Sequence, residues 1–369
     1  MTAVTASVAP TVPPAHRDEA IDVARAMAIL GMFVIHAVLV LGAFYPRTGA
    51  SAFVLWLCDG RAAATFVTLA GFGVARLAAK DTPDLAARTL RRRALALWVL
   101  GVLNLVIWPG DILRVYGVAL LAAPFLLRWN VRARLLVSLA LVVLFPLGMV
   151  LLDWTRHWNL ATLTYTGVWT ADGFVRNLLF DGFRPVVPWL SFFLIGTVIA
   201  EQDLQSVSLQ RKFIRFGIFA TVASVIASIG LDRLLIRVAP HVDALTREGL
   251  VGTTSLPPLP LFMLSAVGST ALLLGAVLRL VPLAPRRVVT LLSATGRRAL
   301  TWYVLHVVVL VTLHESGARN VLSPGVAIGV GVAMFVGAAL WSSKHSATQG
   351  VLETLMRAVS RVRPSPTSR

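Results

Sequence analysis

The fold class is decided by a long apolar stretch near the N-terminus, IDVARAMAILGMFVIHAVLVLGAF, which runs from residue 21 to residue 44. About 20 mostly apolar residues in a helix are enough to cross the hydrocarbon core of a bilayer. Nine similar stretches follow along the chain, at about 51–79, 92–109, 112–128, 133–152, 186–201, 211–235, 256–281, 298–315 and 321–343. The sequence therefore predicts an all-α, polytopic membrane helix bundle with about ten transmembrane helices.

The composition supports a membrane protein and argues against a nucleic-acid-binding one. Only 14% of the residues are charged and 57% are hydrophobic, whereas soluble domains have about 25% charged residues. The net charge of +17 comes from basic residues that stand between the apolar stretches and form no basic domain. We therefore predict the lipid bilayer, and no nucleic acid, as a partner, and a multi-pass protein of the plasma membrane.

The orientation follows from the distribution of basic residues. If the N-terminus is cytoplasmic, alternate segments place 23 of the 34 Lys and Arg residues on the cytoplasmic side and eight on the other side. Cytoplasmic loops of membrane proteins carry such an excess. The sequence thus predicts that both termini are cytoplasmic, with a disordered tail at 1–16 and a C-terminal helix and tail at 346–369.

Three ionisable residues lie in the first apolar stretch, where a charge is costly and its default interpretation is functional. Asp22 and Arg25 are three residues apart, and His36 follows Arg25 by eleven, which places all three near one helix face. His36 should lie about 16 Å deeper than Arg25. Arginine binds phosphate well and an imidazole is a common general base. Equally, Arg25 could contact lipid phosphates while His36 forms a hydrogen bond between helices.

Several motifs resemble those of known membrane acyltransferases. The Arg25-x10-His36 spacing looks like the signature of the acyltransferase-3 family. Other segments resemble the YeiB-type proteins of the transmembrane acyltransferase superfamily, to which heparan-α-glucosaminide N-acetyltransferase is also similar. These segments are Asp59-Gly60-Arg61, the stretch from Asp111 to Gly117, Pro188-Trp189, the stretch from Gly296 to Tyr303, and that from Gly350 to Glu353.

The resemblance implies a transmembrane acyltransferase domain over residues 17–345. Such an enzyme would move an acyl group, most simply acetyl, from cytoplasmic acyl-CoA to a hydroxyl or amine of a sugar, glycan or small molecule. His36 would be the base, Asp59 would orient it, and Tyr303 or His306 would donate to the oxyanion. We assign donor binding to Arg25, Asp22, Arg61, Arg91 and Arg92, and acceptor binding to Asp111, Arg114 and Trp189.

The sequence also allows two functions other than acyl transfer, those of a transporter and of a scaffold. A transporter could use His36, Asp59 and His306 as a proton-coupled site, although we find no repeated halves of the kind many transporters have. A non-enzymatic scaffold would leave the alignment of Arg25 with His36 without a purpose. No His and carboxylate spacing suits a metal ion, so we predict none. A homodimer is left open.

Overall fold

The computed structural model describes residues 15–42, 48–160, 162–318 and 321–360. Most of the predicted N-terminal tail, residues 1–14, lies outside these ranges, and residues 15 and 16 already belong to the first helix. The final residues of the predicted C-terminal tail, 361–369, also lie outside them.

The described part of the chain is almost entirely helical, which confirms the all-α prediction. Its only strands are β1 (Trp158–Asn159) and β2 (Thr164–Tyr165), which pair antiparallel. The α-helices are α1 (Ala15–Leu41), α2 (Gly49–Cys58), α3 (Arg61–Ala78), α4 (Pro83–Ile107), α5 (Leu113–Leu126), α6 (Val131–Leu151), α7 (Ala171–Arg176), α8 (Val186–Ile199), α9 (Val207–Val238), α10 (Ala244–Val251), α11 (Pro260–Leu280), α12 (Arg286–Gly296), α13 (Ala299–Leu313), α14 (Pro324–Lys344) and α15 (Val351–Ser360).

Seven helices of the described residues are long and apolar enough to cross a membrane, and eight if a bent pair forms one span. The bent pair joins Ala171–Asp181 to Val186–Ile199 at an angle of 45°. Helices α4 and α5 overlap the predicted spans 92–109 and 112–128, but they do not meet the criteria of length and apolar composition. The first half of α4 carries four arginines, and α5 has only 14 residues. The number of crossings and the orientation in the membrane therefore stay predictions.

Helix α1 lies at the centre of the bundle. Of its most apolar window, 78% is buried, compared with 17% for the corresponding windows of α6 and α9. It packs against α3, α11, α12, α13 and α14. Because α6 and α9 present most of their apolar side chains outward, they are among the helices that face lipid.

Glycines allow the backbones of neighbouring helices to touch at a few positions. Gly71 of α3 lies against the carbonyl of Phe193 in α8, and Gly196 of α8 lies against the carbonyl of Thr68 in α3. Gly331 of α14 lies in the same way against α1. By contrast, Gly325, Gly329 and Gly337 of the same helix face open space and make no such contact with the described residues.

Two helix interruptions lie beside the candidate site described below. Helices α2 and α3 are separated at Asp59-Gly60, where Gly60 has a φ of +64°. A side chain at Gly60 would collide with Ser255 and Phe262. The second interruption is the π-helical turn Asn177–Asp181 and the loop that leads to α8.

We predict that Gly196→Leu destabilises the bundle, because the new side chain would force α3 and α8 apart. Overpacking of this kind costs about 1–3 kcal/mol or more. The midpoint of thermal unfolding in detergent should fall for this variant and change little for Gly329→Leu, the matched control, whose position faces open space. Equal midpoints for the two variants would contradict the packing described here.

Candidate active site

The centre of the candidate site is a pair of histidines from helices that are far apart in the sequence. Nδ1 of His36 in α1 lies 2.8 Å from Nε2 of His306 in α13. The two rings are stacked, with centroids 5.1 Å apart and planes that differ by 9°. Both side chains are buried, although His36 keeps 7% of its surface exposed against 1% for His306.

The hydrogen-bond partners determine which ring nitrogens carry protons. Nδ1 of His306 lies 3.1 Å from the carbonyl oxygen of Trp302, and because a carbonyl can only accept, this nitrogen must donate. A neutral His306 then accepts at Nε2, so the donor in the contact between the rings is Nδ1 of His36. A neutral His36 consequently has its lone pair at Nε2. This is the arrangement of an oriented general base.

Aromatic side chains surround the histidine pair. Phe33 stacks on the ring of His306 with centroids 4.6 Å apart, and Trp108 lies 4.8 Å from the ring of His36. Tyr303 meets His306 edge to face at 5.7 Å. The structure thus brings Tyr303 and His306 close to His36, and aromatic rings surround the two imidazoles.

The hydroxyl of Tyr303 links α13 to the turn before α5. Its oxygen accepts a hydrogen bond of 3.3 Å from the backbone N–H of Ile112. The hydroxyl proton remains able to donate to another group. By contrast, both ring nitrogens of His306 already have partners, so His306 holds His36 in place and cannot easily act as the oxyanion donor that the sequence suggested.

Arg184 is a residue of this region that sequence reasoning did not select. It lies in the loop before α8, and its guanidinium stacks over the ring of Trp189 at 4.7 Å. Nη1 donates to the carbonyl of Phe183 at 2.8 Å. Its charge acts on both His36 and Tyr303, so the guanidinium lies within electrostatic range of the candidate base. The Arg184-Pro185 pair just before an apolar helix was the signal that could have indicated it.

Asp59 and Arg61, which the sequence assigned to the base and to the donor, stabilise the break between α2 and α3. The carboxylate of Asp59 accepts from the hydroxyl and the amide of Ser255, at 2.7 and 3.3 Å. Asp59 was expected to orient the His36 ring, but the residue that contacts Nδ1 of His36 is His306. Arg61 donates to the carbonyls of Trp56 and Asp59 and to the hydroxyl of Ser265. These two residues therefore hold the loop that contains Ser255 against the start of α3.

The second predicted pair, Asp111 and Arg114, forms a buried ion pair of 3.3 Å at the start of α5. Asp111 also accepts from the side chain of Asn104 in α4, and Arg114 donates to Asn177 in the π-helical turn. Nη1 of Arg114 is buried without a hydrogen-bond partner among the described residues. The pair thus joins three elements and keeps one guanidinium nitrogen available.

The π-helical turn is itself braced by polar residues of the loop before it. Tyr165 donates a 2.6 Å hydrogen bond to Asp181, whose carboxylate also accepts from Arg176 at 2.8 Å. Burial and the neighbouring Asp181 carboxylate raise the pKa of Tyr165 above its usual range, so this hydroxyl stays protonated as a donor. The position of Asn177, and with it Arg114, depends on this network.

Two of the predicted donor-binding residues, Asp22 and Arg25, lie at the other end of α1. Arg25 forms an ion pair of 2.6 Å with Asp22, three residues before it, and the Arg25 side chain is 29% exposed. Arg297, at the end of α12, approaches the same carboxylate at 4.0 Å. Arg91 and Arg92 lie on the exposed face of α4. Arg61 lies instead at the break that adjoins the histidine end.

Trp189, predicted for acceptor binding, is fully buried at the start of α8. Its ring packs against Phe192 and Phe262, and its indole N–H has no hydrogen-bond partner in the described part of the chain. Within the described ranges, no group of three or more His, Cys, Asp and Glu side chains is placed to hold a metal ion.

Comparison with protein families gives two matches that together cover most of the chain. A family model described as the heparan-α-glucosaminide N-acetyltransferase catalytic region matches residues 17–242, which is more than half of the chain. The chain belongs to this family. A second model, for the DUF418 proteins of unknown function, matches residues 204–363. No curated protein and no solved structure matches the chain.

The two matches confirm the predicted transmembrane acyltransferase superfamily, since the DUF418 model corresponds to the YeiB-type proteins. The matched N-terminal region contains His36, Asp59, Asp111 and Arg114, while Tyr303 and His306 lie in the region that matches DUF418. The histidine pair therefore joins the two matched regions in a multi-pass membrane protein of a transferase family.

The C-terminal helix of this family member supports the helix that carries His306. Glu353 of α15 accepts from the backbone N–H groups of Leu300 and Thr301 at 2.7 and 3.1 Å, and from the Thr301 hydroxyl. It caps the N-terminus of α13. The sequence alone could not indicate this cap, because spacing within α15 gives no information about a contact with α13.

We predict that Glu353→Ala destabilises the protein by about 1–2 kcal/mol, the cost of losing a helix cap. Glu353→Gln keeps one acceptor oxygen and should lose less. The free energy of unfolding, measured by thermal unfolding in detergent, should not change for Glu315→Ala, an exposed carboxylate near the other end of α13. A loss in the Glu315 variant as large as in the Glu353 variant would show that the cap has no special role.

Proposed function

We propose that the protein is a membrane acyltransferase that moves an acetyl group from acetyl-CoA to a hydroxyl or amine acceptor. Family membership supports the transferase class, and the buried histidine pair supports the chemistry. The single observation that carries the proposal is the hydrogen-bond chain from His36 through His306 to the Trp302 carbonyl, which leaves Nε2 of His36 as a base.

The donor is proposed to bind with its phosphates at the basic end of α1. Arg25 and Arg297 share the Asp22 carboxylate there, and both guanidinium groups are partly exposed. Guanidinium groups bind phosphate oxygens well. Arg25 and His36 are on the same unbroken helix, about 16 Å apart along its axis, so an extended donor can have its phosphates at one residue and its thioester near the other.

The transfer itself requires a base and a group that accepts the developing negative charge. Nε2 of His36 takes the proton of the acceptor hydroxyl or amine while the acceptor atom bonds to the thioester carbonyl carbon. His306 stabilises the resulting imidazolium by accepting from Nδ1. When the carbon–sulfur bond of the tetrahedral intermediate breaks, the proton passes from His36 to the departing thiolate, so atoms and charges balance.

The oxyanion of the tetrahedral intermediate is proposed to be stabilised by Tyr303 and Arg184. The Tyr303 hydroxyl can donate because its oxygen, and not its proton, is used by Ile112. Arg184 adds a positive charge within electrostatic range of both His36 and Tyr303. Donors placed where negative charge develops are among the strongest contributions to catalysis.

The acceptor is proposed to be a sugar, a glycan or a small molecule that enters from the end opposite Arg25. Three predicted residues there have polar groups able to bind hydroxyls. Nη1 of Arg114 and the indole N–H of Trp189 are buried donors without a partner in the described residues, and Asp111 lies next to Arg114. A hydroxylated acceptor would satisfy these donors.

We expect His36→Ala to lower kcat for acetyl transfer by 100-fold or more, because the base is lost. The measurement is transfer of labelled acetyl from acetyl-CoA by purified protein, with calorimetry to confirm that acetyl-CoA still binds. His345→Ala is a matched control, since Nδ1 of His345 also donates to a carbonyl four residues earlier but lies outside the site. Full activity of the His36 variant would refute the assignment of the base.

A companion variant separates the enzyme from a proton-coupled transporter. His306→Ala should lower kcat by about tenfold or more by removing the partner that orients His36, with little change in the KM for acetyl-CoA. If neither acetyl-CoA binding nor transfer is detectable in the wild-type protein, while proton-dependent solute uptake in vesicles requires His36 and His306, the protein is a transporter and the proposal fails.

Replacing Arg25 tests the donor site. Arg25→Gln should raise the KM for acetyl-CoA by about tenfold or more, since a charge-assisted hydrogen bond contributes about 1.5–3 kcal/mol, and kcat should change much less. The exposed Arg211 on α9 provides the control variant, Arg211→Gln, which should behave as wild type. A loss of kcat without a change in KM would place the donor phosphates elsewhere.

A further inference from the structure

An apolar groove lies between α4 and α15, outside the site described above. It has a volume of about 390 Å³. Leu95, Val99 and Leu103 line it from one face of α4, and Leu355 and Val359 line it from α15. We call this feature the α4–α15 groove.

The groove is lined by large apolar side chains that the protein itself leaves uncovered. Leu95 is 65% exposed, Val99 50% and Leu103 62%, and on the other wall Leu355 is 53% and Val359 41% exposed. A continuous apolar surface of this kind marks a site that another apolar group covers. In a membrane protein, this group can be the acyl chain of a lipid.

Basic residues stand at one end of the groove. Arg92 lines its mouth, immediately before the point at which α4 changes from arginines to apolar residues. Arg93, the next residue of α4, feels the like charge of Arg357 on α15 and, in the opposite sense, the carboxylate of Asp81. In addition, Nε of Arg93 is buried without a hydrogen-bond partner in the described residues. The two helices thus bring guanidinium groups together at the mouth, where an anion would stabilise them.

We infer that the α4–α15 groove binds an anionic phospholipid. The phosphate lies between Arg92, Arg93 and Arg357, and an acyl chain follows α4 from Leu95 to Leu103, a rise of about 12 Å. A soluble phosphate would leave the apolar walls uncovered, and a zwitterionic lipid would bring a second positive charge to an already basic mouth. An anionic phospholipid satisfies both the charge and the apolar surface.

Lipid binding in the groove has a structural consequence that can be measured. Helix α15 is held to the bundle by Glu353, which caps α13, and by contacts with α4 that the lipid would extend. A ligand that binds only the folded state stabilises it in proportion to the logarithm of its concentration. The anionic lipid should therefore raise the midpoint of thermal unfolding.

The test uses the full chain purified in a neutral detergent and titrated with dioleoyl phosphatidylglycerol or dioleoyl phosphatidylcholine, which have the same acyl chains. Native mass spectrometry gives the affinity and thermal unfolding gives the stabilisation. We expect phosphatidylglycerol to bind at least tenfold more tightly and to raise the unfolding midpoint. Inorganic phosphate and glycerol phosphate, which have no chain, should do neither.

Variants then locate the binding site. Arg92→Gln and Arg357→Gln should each weaken phosphatidylglycerol binding by about fivefold, which corresponds to about 1 kcal/mol for each basic residue near a membrane surface. They should leave phosphatidylcholine binding unchanged. Ala96→Trp, which fills the groove, should weaken both lipids, and Arg211→Gln on α9 is the control that should weaken neither.

Three results would overturn the inference. The first is equal affinity for the two lipids, and the second is unchanged phosphatidylglycerol binding in both arginine variants. The third is a dimer in which cross-links form between copies through Leu95→Cys and Leu355→Cys, because the groove would then be a protein interface. None of these results depends on acetyl transfer, so the proposed reaction could fail while lipid binding stands, and the reverse also holds.

Discussion

The hydrogen bond between His36 and His306 is the contact on which the rest of the site depends. It joins α1, the most buried span, to α13, and it needs both rings to be held at a fixed distance and angle. Phe33 stacks on His306 from one side, and the carbonyl of Trp302 fixes its Nδ1 proton. Since an unpaired polar group is costly in an apolar interior, this pairing also favours one packing of α1 against α13.

Buried arginines provide the second recurring element of the structure. Arg61 donates to carbonyls at the end of α2, and Arg298 donates to carbonyls of Ala294, Ser342, His345 and Thr348, which lie at or near helix ends. Carbonyls in the last turn of a helix lack partners within it, and one guanidinium can satisfy several of them. Some arginines that the sequence assigned to membrane orientation or to ligand binding are therefore structural connections between helices.

Sequence reasoning succeeded where a feature lies within one helix and failed where it depends on contacts between helices. The apolar stretches predicted the helices, and the i,i+3 spacing placed Asp22 and Arg25 near one face of α1, where they form an ion pair. The partner of Asp59 could not be predicted, because Ser255 is 196 residues away and lies on a loop of irregular structure. The same holds for the Glu353 cap on α13 and for Arg184. Periodicity tells which face of a helix is apolar, but the register between neighbouring helices is set by packing.

The position of the histidines along α1 has a consequence for the proposed reaction. His36 is only five residues from the end of α1 at Leu41, but eleven residues from Arg25. The donor must therefore extend about 16 Å into the bundle, whereas the acceptor reaches the base after about half that distance. A long, flexible donor arm with its charges at the far end meets this requirement, and a polar acceptor avoids a deep apolar path. The buried Asp111–Arg114 pair flanks Ile112, whose backbone N–H donates to Tyr303, so polar groups able to bind a hydrophilic acceptor lie close to the proposed site.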